Sequence, residues 1–113
     1  MNSTPMLMSE VDRCGDQCVA CARACVKALY HHCLTAGGAH VAVPHVQLMT
    51  DCSEMCTVAA NFMTRGSPRH AAVCSLCADL CQACAEDCAT LGGMEESVSA
   101  CQECAKSCRA MAG

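Results

Sequence analysis

Residues 74–88 read CSLCADLCQACAEDC, with cysteines at 74, 77, 81, 84 and 88. Their gaps alternate between three and four, the spacing that keeps side chains on one face of an α-helix. At about 100° per residue the five fall within roughly 80° of arc. A bundle helix buries a stripe of this width against its neighbours, and here the stripe consists of thiols instead of leucines.

The pattern recurs outward from this stretch. Cys14, Cys18, Cys21 and Cys25 occupy roughly 60° of another helix face, with Cys33 beyond them. Cys52 and Cys56 mark a third helix, and Cys101, Cys104 and Cys108 a fourth. Three breaks separate these segments. In the first, Gly37-Gly38 through Pro44, the proline suits the first turn of a following helix. The second, Arg65-Gly66-Ser67-Pro68, reads as Gly66 closing a helix, Ser67 as N-cap and Pro68 as the first helical residue. Gly92-Gly93 is the third. Helices are therefore predicted over 9–36, 44–65, 68–91 and 94–111. Gly15 costs the first of them about 1 kcal/mol relative to alanine and predicts fraying there. The chain has no isoleucine, hardly any aromatic residue and no sustained period-two alternation, so a sheet has little support. The expected fold is all-α: an antiparallel up-down-up-down four-helix bundle with a cysteine-lined core, one domain spanning 1–113.

Composition narrows the function. A formal charge of -4 and a pI near 5.6 provide no basic patch, so neither nucleic acid nor membrane is expected as a partner. No run approaches the roughly 18 consecutive apolar residues of a membrane span. The 53% hydrophobic share includes 15 cysteines and 19 alanines, which leaves a thin aliphatic core. Met1 to Cys14 lacks the basic start, apolar run and cleavage site of a secretory signal, so a cytoplasmic location is expected. Structural disulfides are rare there, and an odd cysteine count leaves one thiol unpaired in any full framework. A single cysteine is most often a small buried hydrophobe. Fifteen at this spacing are read as metal ligands.

Thiolates three or four residues apart on a helix have Cβ atoms about 5–6 Å apart, within reach of one soft ion. Charge selects among soft ions. Zn²⁺ on four thiolates leaves -2 at each site, whereas one Cu⁺ per thiolate leaves the core neutral, and buried uncompensated charge is costly. Zinc ligand pairs also sit on loops and knuckles more often than along a helix face. The expected cargo is copper(I), many ions at roughly one per cysteine. Two other classes remain: a thiol/disulfide redox or sensor protein using the CxxC units, weakened by their mid-helix position, and a structural zinc or iron-sulfur protein with few fixed metals.

The ladder from Cys74 to Cys88, the segment CQECAKSCRAMA from Cys101 to Ala112, and the pair Cys52 and Cys56 together resemble the cytosolic branch of the bacterial copper storage protein family. The resemblance implies inward-pointing cysteines holding about one copper(I) each, no export signal, no enzymatic activity and assembly into homotetramers. Members of that branch often carry further cysteines where Ala28, His32 and His45 stand here, and a histidine-rich loop where this chain has Leu91-Gly92-Gly93-Met94-Glu95. Capacity is expected to be lower than in such members. A copper donor or acceptor is not identified by the resemblance.

His32 falls about 0° from the stripe that starts at Cys14, and His45, Met49, Cys52, Cys56, Ala59 and Met63 stay within about 40° of one line. Both histidines are expected to face the thiols as candidate ligands or gates, because imidazole is an acceptable copper ligand. The antiparallel order gathers His32, Cys33, His45, Met49, Cys88 and Met94 at one end. Met6, Met8, Phe62, Met63, His70 and Met111 form a greasier set at the other. His31, His40 and His70 read as surface or loop residues, Asn61 as polar surface, and the acidic residues, Asp87 among them, as solvated outer faces.

Overall fold

Each of the three breaks turns the chain back on itself, and the residues responsible are the ones the sequence offers for the purpose. The computed structural model describes the backbone of residues 3–112 and the side chains of residues 10–112. Helix α1 occupies 3–36, as Ser3–Ala28 in α geometry, Leu29–Cys33 as a π-helical turn and Leu34–Ala36 in α geometry again. Helices α2 (Val43–Thr64), α3 (His70–Leu91) and α4 (Glu95–Ala112) follow, with a short 3₁₀ turn at Gly38–Val41.

The turn after α2 forms as expected. Ser67 donates its N–H to the Phe62 carbonyl at 2.9 Å and Gly66 donates to Met63 at 3.0 Å. Gly66 has φ +67°. This paired arrangement satisfies the last carbonyls of α2 and requires the left-handed residue between them. Beyond it the Ser67 hydroxyl accepts the Arg69 N–H at 3.1 Å, but within the turn. Arg69 takes the N-cap position with no side-chain cap, and Ser67 and Pro68, expected as N-cap and first helical residue, both precede the helix. The Ser67 carbonyl also accepts the His70 N–H at 3.3 Å, a tight three-residue turn, so α3 begins at His70 instead of 68. Pro44 lies in the first turn of α2. At the other extreme, α1 runs unbroken through Gly15 back to Ser3, six residues beyond the expected start and without interruption at the glycine.

Around the axis α1 packs beside α2 and α4, and α3 beside the same two, which is the square of an up-down-up-down bundle. The molecule is 53 Å long and 19 Å across, its length set by α1 at about 1.5 Å per residue. Alanines flank the thiol stripes at the helix contacts: Ala22, Ala59, Ala60, Ala78, Ala85 and Ala105 are all buried. Buried Ser53 donates across from α2 to the Ala22 carbonyl of α1 at 3.2 Å. Surface pairs add little. Lys27–Glu96 and Arg109–Asp79 lie at 3.4 and 3.6 Å between exposed side chains, where each is worth at most about 1 kcal/mol.

The π turn is the departure with consequences. At α spacing Cys33 would sit about 80° away from Cys25 and leave the stripe. A π turn accommodates one extra residue, about 100° of rotation, and returns Cys33 to the axis, where it is fully buried. His32, one position earlier, is carried to the side of the core and is half-buried.

Gly93 receives that histidine. Its φ is +79°, and a Cβ there would lie 2.7 Å from both Cε1 and Nε2 of His32. Gly93→Ala is expected to destabilise the reduced metal-free protein by about 1–3 kcal/mol in a denaturant titration. Gly15→Ala, helical and with nothing within 4 Å of the new methyl, is expected to be neutral or stabilising by up to about 1 kcal/mol.

Candidate metal centre

Four stripes of thiols meet along the bundle axis. All fifteen cysteines are buried and none is bonded to another. Sulfurs from different helices approach to 3.4 Å for Cys56–Cys81, 3.5 Å for Cys18–Cys108 and Cys21–Cys101, and 3.6 Å for Cys56–Cys77. These are contact distances, far longer than the roughly 2.05 Å of a disulfide. They also approximate the edge of a site in which metal–sulfur bonds are about 2.3 Å.

Twelve of the thiols fall into four groups whose sulfurs all lie within 4.8 Å of one another: Cys14, Cys74 and Cys108; Cys18, Cys77, Cys104 and Cys108; Cys21, Cys56, Cys81 and Cys104; and Cys21, Cys25, Cys52 and Cys101. The groups are not separate. Cys108 belongs to the first and second, Cys104 to the second and third, and Cys21 to the third and fourth. They therefore link end to end into one row along the axis. Cys84 and Cys88, 4.0 Å apart, lie outside the groups, as does Cys33.

Protons are shared unevenly along the row. The Cys25 thiol is pulled down to about 5, chiefly by the hydrogen bonds it accepts from Cys101 and then Cys21. Cys21 is pushed up because its proton is held first by Cys101, then by Cys104. Cys104 is lowered by Cys108 and then Cys18. Burial raises every one of these thiols and so opposes accumulation of charge in the absence of a cation.

The end bearing the first and third loops has a different chemistry. There the Cys33 sulfur lies 3.3 Å from His45 Nε2, 3.9 Å from Met49 Sδ and 3.4 Å from Met94 Sδ. His45, Met49 and Met94 are buried, as the helical line through α2 predicts for the first two. Asp87 takes part here, contrary to its reading as a solvated acid. It is half-buried, with Oδ2 2.6 Å from His45 Nδ1. A carboxylate can only accept, so Nδ1 carries a hydrogen and Nε2 is the ring nitrogen turned toward Cys33. The Cys33 thiol is raised by burial, then by the charges of Cys88 and Asp87.

His32 does not join this cluster. Since the π turn has rotated it away, its ring lies against Gly93 and edge-on to His40, 4.9 Å between centroids. Its Nε2 is buried with no hydrogen-bond partner among the described residues. His40, read from sequence as an ordinary loop residue, stands at the same mouth. Its Nε2 is 3.2 Å from the Gly92 carbonyl and its ring is 6.3 Å from that of His45. No periodicity reaches His40, so proximity in space was its only signal. Ser97 was also missed, although it continues the stripe of Cys101, Cys104 and Cys108 by one helical turn. It is buried, with its hydroxyl 3.8 Å from Cys25 and 3.9 Å from Cys88.

At the opposite end Met63 is buried with its sulfur 3.7 Å from that of Cys74. Phe62, His70 and Met111 are half-buried, and the Arg65 guanidinium lies 4.3 Å over the Phe62 ring. Met6 and Met8, expected to complete this set, lie outside the described side chains.

Comparison with known proteins agrees with this construction. A crystal structure of a Nitrosospira multiformis protein superposes with a TM-score of 0.89 at 45% identity, covering 92% of this chain and 95% of that one. The Cu(I)-bound copper storage protein BsCsp3 matches at 0.84 and 30% identity over 92% and 99%. Apo copper storage protein 3 of Bacillus subtilis gives 0.79 and 29% over 89% and 97%. An uncharacterized cysteine-rich protein of Bacillus subtilis, YhjQ, is 31% identical over 77 residues, 68% of this chain and 70% of its own length. Residues 7–113 match the copper storage protein family throughout, and the chain belongs to that family.

Proposed function

We propose that the chain stores copper as Cu(I) ions held by its fifteen cysteine thiolates, twelve of them linked in one row, at roughly one ion per cysteine and without catalytic turnover. The observation that carries this reading is the sharing of Cys21, Cys104 and Cys108 between adjacent groups. Discrete tetrahedral zinc sites need exclusive ligands. Of the three four-thiol groups here, the one containing Cys56 and Cys81 shares a sulfur with each of the others, so the three cannot be filled independently. Each filled zinc site would also leave -2 in a buried core, whereas bridging thiolates and monovalent ions alternate to neutrality. Thiol–disulfide exchange calls for exposed, activated thiols, and all fifteen are buried.

Copper passes, on this reading, through the mouth formed by the loops at Gly37-Gly38 and Gly92-Gly93. His45 already touches Cys33, and the unpartnered Nε2 of His32 is shut against Gly93. A small movement of that glycine loop would expose an imidazole nitrogen to an incoming ion. We also propose a cytoplasmic location and a homotetramer. No helix among the described residues is long and apolar enough to cross a membrane. Self-association is supported by the exposed Val19, Val26, Tyr30 and Leu34 of α1.

Anaerobic titration of reduced protein is expected to saturate near 15 Cu(I), one per cysteine. An endpoint at four or fewer would replace storage with discrete sites. The double variant Cys21→Ser with Cys104→Ser is expected to lose more than two ions, because each residue serves two groups. Loading should slow in His32→Ala with His45→Ala at fixed pH. Unchanged loading there, with slowing produced by changes at Met63 or Met111, would move the entrance to the opposite end.

A further inference from the structure

The thiol row ends short of the mouth. On α4 the stripe of Cys108, Cys104 and Cys101 is continued by Ser97 and then Met94. On α2 the stripe of Cys56 and Cys52 is continued by Met49 and His45. Both helices thus change ligand type at the same level of the bundle. Cys33 of α1 is the thiol at that level, and it belongs to none of the thiol groups. Every non-thiol donor around it is buried: Met49 at 1%, Met94 at 4% and His45 at 4% exposure.

We infer that Cys33, His45, Met49 and Met94 form a discrete mononuclear copper(I) site, distinct from the thiolate row, in which Asp87 orients the imidazole. This rests on the storage reading and assigns it a separate port. The three separations from Cys33 are of the length that one small ion would span. A site with metal–sulfur bonds near 2.3 Å and a metal–nitrogen bond near 2.0 Å has ligand–ligand edges of about 3.5–3.8 Å. The observed separations from Cys33 Sγ are 3.3, 3.4 and 3.9 Å. The donor set is selective: two thioethers, a thiolate and an imidazole suit Cu(I) and are poor partners for Zn²⁺, which takes thiolate, imidazole or carboxylate.

All four helices take part. Cys33 comes from α1, His45 and Met49 from α2, Asp87 from α3, and Met94 from the residue whose carbonyl accepts the Val98 N–H in the first turn of α4, at 2.9 Å. The Asp87 contact at 2.6 Å fixes which imidazole nitrogen faces inward, the usual office of a carboxylate behind a metal-bound histidine. One thiolate and one Cu⁺ cancel, so this site is neutral without a bridging partner. Its neutral thioether and imidazole donors are more easily exchanged than the bridging thiolates of the row, which makes it the point at which an ion is accepted or surrendered.

The test uses the full chain, labelled with nitrogen-15, reduced, and titrated anaerobically with Cu(I) while bound copper is counted in the same samples. Imidazole nitrogens report metal binding directly by NMR, and His45→Gln assigns the His45 signals. The expected result is that the His45 Nε2 resonance moves from a free-lone-pair to a metal-bound position by saturation, while Nδ1 keeps its proton. In Met49→Leu with Met94→Leu, which preserves apolar volume, and separately in Cys33→Ser, the shift should be lost and the count should fall by one ion. Zn²⁺ added alone should leave the resonance in place. An unmoved His45 Nε2 at a full copper count would overturn the mixed-donor site and leave storage standing. A shift that persists both in the double methionine variant and in Cys33→Ser would overturn the ligand assignment. A count of four or fewer would instead remove the storage reading itself.

Discussion

The constraint on which the molecule depends is electrostatic: fifteen ionisable thiols share one dry axis. The side chains around them supply no cation, because every lysine and arginine among the described residues lies outside the buried core. Burial pushes each thiol toward its protonated form, and hydrogen bonds between sulfurs only redistribute the remaining charge. A proton can leave for good only if a positive ion replaces it. A monovalent soft cation does so at parity with one thiolate, which is why the arrangement suits Cu⁺ in numbers and Zn²⁺ poorly.

Packing follows from the same requirement. Sulfur–sulfur separations of 3.4–4.0 Å across helices demand close helix axes, and the residues between thiols must then be small. Buried Ala22, Ala59, Ala60, Ala78, Ala85 and Ala105 meet that need. The cost is a core with little aliphatic volume, where the two fully buried methionines, Met49 and Met63, are the largest side chains. They stand near opposite ends of the thiol row, each with its sulfur against a cysteine, at Cys33 and Cys74 respectively. The ends are nevertheless unlike. The cysteine that Met49 touches also meets His45, which is held by Asp87, whereas Cys74 beside Met63 is grouped with the thiols of Cys14 and Cys108.

Much of this was legible in the sequence because the cysteines carry the helical period themselves. Four stripes, three breaks and the inward line of His45, Met49, Cys52, Cys56, Ala59 and Met63 all follow from counting at 100° per residue, and each of those α2 residues is buried. Helix boundaries slipped where hydrogen bonding is decided locally, as at Ser67, whose hydroxyl holds the Arg69 N–H within a turn while α3 waits until His70. A uniform angle per residue cannot represent an inserted turn, so His32 was aligned with the thiols and Cys33 was left beside them. His40 and Asp87 escaped for another reason. Their roles arise from contacts between elements distant in sequence, 52 residues for His40 with Gly92 and 42 for His45 with Asp87, and no local pattern encodes such a pairing.

The π turn at Leu29–Cys33 ties these observations together. A regular helix would place one of the consecutive pair His32-Cys33 in the core and leave the other roughly 100° away. Without the insertion that core residue would be His32, and the thiol would be lost from the axis. With it, Cys33 reaches His45 and Met94, while His32 is turned to the mouth, where the absence of a side chain at Gly93 gives its ring room. Such a turn sacrifices regular hydrogen bonding and persists only where surrounding packing sustains it. Here that packing is supplied by buried Leu29 and Cys33 within the turn itself. The irregularity therefore lies where α1 passes from the thiol row to the mixed side chains of the mouth, and it sets two adjacent residues in two different surroundings there.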